Sequence, residues 1–171
     1  MPEGHKDIIG ASDGGLRKIT RQYGAYGWVV ATHNARILWR GKGPAPGSPN
    51  SSYRTEGYGM MGFQRMIYHV MVYWGIETPT SEKALQLRFF TDSLSLISKV
   101  KTLRSYGDNW YPSVHTWPHA DVLLQIEAAA KDIDPFILDL RHVKAHQDDE
   151  KDYKDLEDEE KLNYHCDILA T

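Results

Sequence analysis

The chain of 171 residues is long enough for one domain with a sizeable core, and its 41% hydrophobic and 25% charged residues are ordinary for a globular protein. No apolar run approaches the roughly 20 residues that span a bilayer, and no apolar signal core follows Met1, so we expect an intracellular protein of the cytoplasm or nucleus with no membrane partner. The single cysteine, Cys166, excludes an internal disulfide.

The net charge of −3 is unevenly distributed along the chain. Residues 148–161 hold nine acids and three lysines, a net charge of −6, so the remainder carries +3. If metal ions neutralise four acids outside residues 148–161, the net charge of that remainder becomes +7. The charge therefore permits a nucleic-acid partner, although it does not by itself require one.

Three short strands are expected at the start of the chain. Residues 8–15 form an apolar run that ends in an acid and two glycines, and residues 23–32 are rich in aromatic and β-branched side chains. A tight turn then leads into a third strand over residues 36–42, which predicts an antiparallel meander. Residues 43–50 contain three prolines and two glycines, which predicts a loop without regular structure.

The remainder of the chain alternates helices with strands. A long helix is expected over 53–74, and its apolar stripe consists of Met60, Phe63, Ile67, Val70 and Trp74. Further elements follow as a strand over 84–91, helices over 94–104 and 119–133, a strand over 136–144 and a last helix from about 159. Because strands joined through helices run parallel, we predict one α/β domain over residues 1–171. Its sheet would be mixed and five-stranded, with three antiparallel strands, then two parallel ones, and helices on its faces.

Two acids stand where this fold would point them inward. Asp13 comes at the end of the first apolar run, followed by Gly14 and Gly15, although an Asp-Gly pair is also typical of a simple turn. Glu56 shares the stripe of Met60 and Phe63, and therefore faces the predicted sheet. An acid near a helix N-terminus is also favourable for the helix dipole, which is the alternative reading of Glu56.

Two more acids and one histidine complete the candidate set. Asp92 follows the fourth strand at the sheet edge where α/β proteins form sites, and it could also cap the next helix. Asp167 lies beside the apolar stripe of the last helix, where an acid needs a partner. His146 follows the fifth strand; a lone loop histidine is often inert, and no His/Cys set has zinc spacing.

Four clustered carboxylates would repel one another unless cations neutralise them. Ligand sets made only of oxygen favour hard ions such as Mg²⁺ or Mn²⁺. Two such ions about 3.5–4 Å apart would clamp the attacking and leaving oxygens of a phosphodiester. The sequence alone leaves open whether the four acids meet.

Five motifs in this order resemble those of type 1 ribonuclease H. They are Ser12–Gly15 (SDGG), Arg54–Glu56 (RTE), Thr91–Ser93 (TDS), Val143–His146 (VKAH) and Asn163-x-x-x-Asp167-x-Leu169-Ala170. The sequence of residues 142–149 also resembles the corresponding stretch of the ribonuclease H domains of retroelement reverse transcriptases. The resemblance implies a ribonuclease H-like fold that hydrolyses the RNA strand of RNA·DNA hybrids with two Mg²⁺ ions, for which Mn²⁺ can substitute. It also implies a covalently linked reverse transcriptase domain in the full-length protein, and we expect a monomer.

The resemblance also implies roles for individual residues. Asp13, Glu56, Asp92 and Asp167 would be metal ligands, with Asp13 bridging both ions, and His146 would assist product departure or proton traffic. Contacts to the hybrid, including the 2′-OH that distinguishes RNA from DNA, are implied for Gly14, Gly15, Arg17, Lys18, Arg21, Asn50, Ser51, Ser52, Arg54, Ser93 and Asn163. The alternatives are another nuclease or integrase of the same superfamily, or a non-catalytic nucleic-acid-binding domain of a retroelement polyprotein.

Overall fold

A computed structural model describes residues 8–16, 23–47, 51–75, 85–107, 112–134 and 136–171 of the protein. Its strands and α-helices follow the order β1 (Ile8–Leu16), β2 (Gly24–Thr32), β3 (Ile37–Ala45), α1 (Ser52–Tyr73), β4 (Leu85–Thr91), α2 (Leu94–Ser105), α3 (Ala120–Asp132), β5 (Phe136–His142) and α4 (Asp158–Ala170). Within these ranges, no helix combines the length and the apolar character that crossing a membrane requires.

The strands form one mixed sheet in the spatial order β3-β2-β1-β4-β5. β1 pairs antiparallel with β2, which pairs antiparallel with β3. On its other side β1 pairs parallel with β4, which pairs parallel with β5. The predicted five-stranded sheet with flanking helices is therefore confirmed, and it has the ribonuclease H-like topology.

Alternation along the strands builds a core on each face of the sheet. Val30 and Phe89 pack with apolar side chains of α1, α2 and α3 on one face. Their neighbours Val29 and Phe90 point the other way and pack with residues such as Leu162 of α4. Because β1 is the middle strand, helices cover it on both sides, and its side chains from Ile9 to Asp13 are buried.

The third strand corrects the prediction of an irregular loop over residues 43–50. β3 continues through Gly43 and Pro44 to Ala45, and Pro44 lies opposite Ala25 of β2. Proline lacks the N–H that a central strand needs for its ladder, but an edge strand has one side unpaired. β3 is such an edge strand, so the proline signal did not end it.

The first strand and the first helix also differ from expectation in detail. β1 does not turn at Asp13 but runs on to Leu16, so the alternative reading of Asp13 as a simple turn residue is wrong. In α1 the buried stripe continues from Ile67 to Met71, four residues on, whereas Trp74 is 58% exposed. The helix ends at Tyr73, so the helical spacing that predicted a buried Trp74 no longer applies at that residue.

The helix ends follow the expected capping chemistry. Ser51 caps α1, and its side chain accepts a hydrogen bond from the Arg54 N–H. Gly75 follows the helix with a positive φ of 57°, a conformation that favours glycine. Glu157 and Glu160 form a capping box at the start of α4. These caps fix where α1 and α4 begin, and both helices carry candidate site residues.

We expect Gly10→Ala to lower the free energy of unfolding by about 1–3 kcal/mol, the usual range for overpacking a core. A Cβ at position 10 would lie 2.1 Å from Cε2 of Phe63, whose ring is fully buried against Phe89. Urea denaturation monitored by tryptophan fluorescence measures the change.

The double variant Gly10→Ala, Phe63→Leu is the control for that result. Removing the ring relieves the clash, so the two changes together should cost less than the sum of their separate costs. Strict additivity of the two free energies would contradict the contact between Gly10 and Phe63.

Candidate metal centre

Three separate elements bring their carboxylates to one point. Asp13 lies in β1, Glu56 in the second turn of α1, and Asp92 directly after β4. Each offers a carboxylate oxygen, and these oxygens all lie within 4.8 Å of one another. β1 and β4 are adjacent and parallel, so their carboxyl ends meet at the same edge of the sheet.

Hydrogen bonds fix Glu56 between the two strands. The Gly14 N–H donates to Oε1 of Glu56 at 3.0 Å and to Oδ1 of Asp13 at 2.6 Å. The buried Thr91 hydroxyl donates to Oε2 of Glu56 at 3.3 Å. Glu56 is 4% exposed, which confirms that it faces inward rather than serving the helix dipole from the surface.

Burial and mutual repulsion make these carboxylates hold their protons more tightly. Burial, followed by the charge of Asp92, raises the pKa of Asp13 to about 6 from an ordinary 3.8. Burial and then the charge of Asp13 raise the pKa of Glu56 well above its usual range. The pKa of Asp92 is also raised, again chiefly by burial. The cluster therefore favours any ligand that brings positive charge.

Gly14 and Gly15 let other parts of the chain approach β1 closely. A Cβ at Gly14 would lie 2.3 Å from Oγ1 of Thr55 and 2.6 Å from the Glu56 nitrogen. A Cβ at Gly15 would lie 2.5 Å from the Ala170 carbonyl oxygen of α4. The space that these glycines leave is thus filled by protein, and it positions Glu56 and the end of α4 beside Asp13.

The acid cluster opens into a cavity of about 1120 Å³. Its lining comes from the ends of β1 and β4, the starts of α1 and α2, the His146 segment and the end of α4. The lining residues are Asp13, Gly14, Gly15, Leu16, Ser51, Ser52, Glu56, Asp92, Ser93, Leu94, Ser95, His146, Asp167 and Thr171. Most of the predicted site residues therefore share one cavity.

Asp167 and His146 lie at this cavity but outside the tight cluster. Asp167 is half-buried, and its charge adds to the rise in the pKa of Asp13, yet it is not among the three acids whose oxygens lie within 4.8 Å of one another. His146 is exposed, and its charge acts on Asp92 by lowering the pKa of that acid against the effect of burial. The charges of both residues thus influence the pKa values of the cluster, although neither residue belongs to it.

Two predicted substrate residues lie elsewhere. The Arg54 guanidinium donates to both carboxylate oxygens of Asp121 in α3, at 3.0 and 2.7 Å, and it does not line the cavity. Together with the contact of Ser51 Oγ to His119 Nε2 at 2.9 Å, this pair fastens the start of α1 to α3.

Asn163 is 5% exposed, and its Oδ1 has no hydrogen-bond partner within the described part of the chain. It lies in α4 one turn before Asp167 and does not line the cavity. Arg17, Lys18, Arg21 and Asn50 lie outside the described residues.

The cavity also contains residues that the sequence analysis did not select. Ser95 follows Ser93 in the first turn of α2, and Thr171 comes one helical turn after Asp167. Helical periodicity could have found Thr171, because residues four apart share a face. Thr91 was quoted only as part of a motif, and its role as a hydrogen-bond donor to Glu56 depends on the pairing of β4 with β1.

The donor set fits a hard divalent cation. Asp13, Glu56 and Asp92 offer only carboxylate oxygens, the ligands that Mg²⁺ and Mn²⁺ prefer. Burial, together with neighbouring negative charge at Asp13 and Glu56, raises the pKa of these acids, and a bound cation would favour their charged forms. Asp167 could contribute a further oxygen from the same cavity.

Comparisons with solved structures show the fold. The solution structure of the prototype foamy virus (PFV) ribonuclease H domain superposes with a TM-score of 0.63 at 15% identity, covering 96% of this chain and 92% of that one. The protease–reverse transcriptase of the same virus gives 0.61 at 15% identity, covering 96% of this chain and 20% of the longer one. LC11 ribonuclease H1, solved in complex with an RNA/DNA hybrid, gives 0.55 at 13% identity, covering 95% and 93%.

No family model matches the sequence, and a search of curated proteins gives no match. The solved structures nevertheless show the fold that the resemblance to type 1 ribonuclease H implies. The chain has the ribonuclease H-like fold, with an acidic cluster that could bind metal.

We expect the stability of the metal-free protein to fall as the pH rises through the range of about 4 to 7. Asp13 keeps its proton to about pH 6 in the folded protein, whereas its ordinary pKa of 3.8 applies after unfolding. The folded state therefore binds more protons in this window, and its advantage is lost as the pH rises. Asp13→Asn removes this loss and should raise the free energy of unfolding at pH 8 by about 3 kcal/mol.

Thermal unfolding in a chelator at pH 4 and at pH 8 measures the effect. Asp132→Asn, which neutralises an exposed acid at the end of α3, is the control and should leave the difference between the two pH values unchanged. A lower melting temperature for Asp13→Asn than for the wild type at pH 8 would contradict a destabilising effect of the buried Asp13 charge.

Proposed function

We propose that the protein is an endoribonuclease that hydrolyses the RNA strand of RNA·DNA hybrids with bound divalent metal, Mg²⁺ in the first place and Mn²⁺ as a substitute. The observation that carries the proposal is the convergence of Asp13, Glu56 and Asp92, with their oxygens within 4.8 Å, at the edge of a ribonuclease H-like sheet. One of the structural neighbours, LC11 ribonuclease H1, was solved with an RNA/DNA hybrid, which supports this choice of substrate.

The residues that would hold two metal ions are Asp13, Glu56 and Asp92, with Asp167 as the fourth carboxylate from the same cavity. Bound divalent ions would supply an activated water and stabilise the negative charge that develops at the scissile phosphate. Glu56 is held in place by the Gly14 N–H and the Thr91 hydroxyl, so the carboxylates are in position before substrate arrives.

The cavity wall supplies the remaining roles that we propose. The exposed Ser52 hydroxyl at the start of α1 and the Ser93 hydroxyl at the start of α2 line the same cavity as the acids, where they would contact sugar and phosphate oxygens. His146, at the mouth of the cavity, moves a proton or assists the departure of the product. Asn50, Arg17 and Lys18 remain proposed substrate contacts from the sequence.

The wider assembly belongs to the same proposal. A covalently linked reverse transcriptase domain in the full-length protein is supported by the likeness to a viral protease–reverse transcriptase, of which this chain covers 20%. We further propose that the domain acts as a monomer inside the cell.

A cleavage assay on RNA·DNA, RNA·RNA and DNA·DNA duplexes tests the function. With Mg²⁺ the wild type should cleave only the hybrid, and Asp92→Asn should lower kcat on the order of 10²–10³-fold, because one of three clustered ligands is lost. Asp139→Asn in β5, outside the cavity, is the matched control and should cleave as the wild type does.

If the wild type cleaves no hybrid with Mg²⁺ or with Mn²⁺, the proposed activity is wrong. If hybrid still binds in that case, the protein is a non-catalytic nucleic-acid-binding domain. Cleavage of DNA duplexes instead would indicate another nuclease of the superfamily. A chelator should abolish cleavage, and added Mg²⁺ should restore it.

We expect Ser52→Ala to raise KM for the hybrid about five-fold and to leave kcat unchanged. Ser52 is exposed in the cavity, and Ser51 rather than Ser52 caps α1, so the loss is one hydrogen bond to substrate of about 1 kcal/mol. Steady-state kinetics measure both constants.

The control for that result is Ser98→Ala, which removes an exposed hydroxyl of α2 outside the cavity and should change neither constant. A fall in kcat with unchanged KM for Ser52→Ala would place Ser52 in the chemical step rather than in substrate binding.

A further inference from the structure

His146 has a backbone conformation that its neighbours must maintain. Its φ of 53° lies in the left-handed region, which side chains other than glycine rarely adopt. Such a conformation persists only where the surrounding structure holds it. The His146 side chain is exposed at the cavity, so its own packing does not supply that support.

Side chains on both sides of His146 are joined in one hydrogen-bonded network. The Lys144 ammonium donates to both carboxylate oxygens of Glu150 at 2.9 Å, and the Lys151 ammonium donates to Glu160 of α4 at 2.8 Å. Gln147 lies between these pairs. Its side-chain amide is assigned the orientation that satisfies both polar atoms, in which the nitrogen donates to Oε1 of Glu160 at 3.2 Å and the oxygen accepts from Lys144 at 3.3 Å. The network thus runs from the residues before His146, through the residue after it, to α4.

Gln147 is the central member of this network. Isolated pairs between exposed ions contribute little, and the Lys144 and Glu150 side chains are 63% and 59% exposed. Gln147 is 8% exposed, and the Glu160 side chain that it meets is 12% exposed. A buried amide must satisfy its polar atoms, so its bonds to Lys144 and Glu160 constrain the segment more than the ion pairs alone.

The network also connects His146 to the helix that carries Asp167. Oε2 of Glu160 accepts from the Glu157 N–H in the capping box of α4. The carbonyl oxygens of His146 and Gln147 accept backbone bonds from Asp149, Glu150 and Lys151, which closes a short 3-10 turn. A change at Gln147 therefore reaches His146 through the backbone beside it and leaves the acid cluster untouched.

We propose that Gln147 and Glu160 are positioning residues that hold His146 at the mouth of the cavity. This inference rests on the proposed function for the role of His146, whereas the network itself is independent of any activity. The substitutions that test it are Gln147→Met, which keeps the volume and removes both hydrogen bonds, and Glu160→Gln, which keeps an oxygen for the helix cap and removes the charge. Asp152→Asn is the matched control, because Asp152 forms an ion pair among the described residues only with Lys154 on the same segment, at 3.5 Å, and both side chains are at least 75% exposed.

Hydrogen exchange followed by mass spectrometry tests the network without reference to activity. In Gln147→Met and Glu160→Gln the amides of Asp149, Glu150 and Lys151 should exchange about ten-fold faster than in the wild type, because local opening becomes easier. Asp152→Asn should leave these rates unchanged. Unchanged exchange in both network variants would overturn the inference, including in the event that the wild type cleaves no substrate.

Hybrid cleavage tests whether the network acts through His146. Gln147→Met should lower kcat about five-fold with KM unchanged, and the same substitution in a His146→Ala background should cause no further loss, since residues that act as a unit are not additive. An equal loss in both backgrounds would show a general structural effect and would overturn the positioning role. If the wild type is inactive, the proposed function is wrong, and the exchange rates still show whether the network restrains the segment around His146.

Discussion

The site depends on the close packing of the start of α1 against the end of β1. This contact places Glu56 within hydrogen-bonding distance of the Gly14 N–H and beside Asp13, and it is possible because Gly14 has no side chain. Burying these charges next to one another is costly, and burial is the larger cause. For Asp13 alone, a pKa of about 6 instead of 3.8 corresponds to about 3 kcal/mol at neutral pH, a sizeable part of the 5–15 kcal/mol that stabilises a typical domain. The buried cores on both faces of the sheet must offset this cost.

Much of the fold could be predicted because its signals are local and agree with one another. Aromatic and β-branched runs marked the strands, and spacings of three and four marked the buried faces of the helices. Glu56 was placed correctly for the same reason, since its register with Met60 and Phe63 could be read directly from the sequence. Asp92 needed a topological rule as well, namely that the carboxyl ends of parallel strands meet at one edge of the sheet.

What could not be predicted depends on contacts between distant elements. The proline signal at Pro44 was outweighed by the position of β3 at the sheet edge, which is a property of the whole sheet. Arg54 follows the motif pattern, yet it pairs with Asp121, 67 residues away. Similarly, the loop containing His146 was expected from its sequence, but the contact of Gln147 with α4 requires the docked helix.

The position of α4 has a consequence for how the protein folds. This helix is the last element of the sheet-packed core, yet it contacts β1 and β2 at the beginning of the chain. Its docking must close a loop of about 150 residues, and contacts of such long range form slowly compared with the local pairing of β1, β2 and β3. Asp13, Glu56 and Asp92 can thus come together before α4 covers its face of the sheet. Asp167 and the support for His146 would join last, which makes the completed cavity a late product of folding.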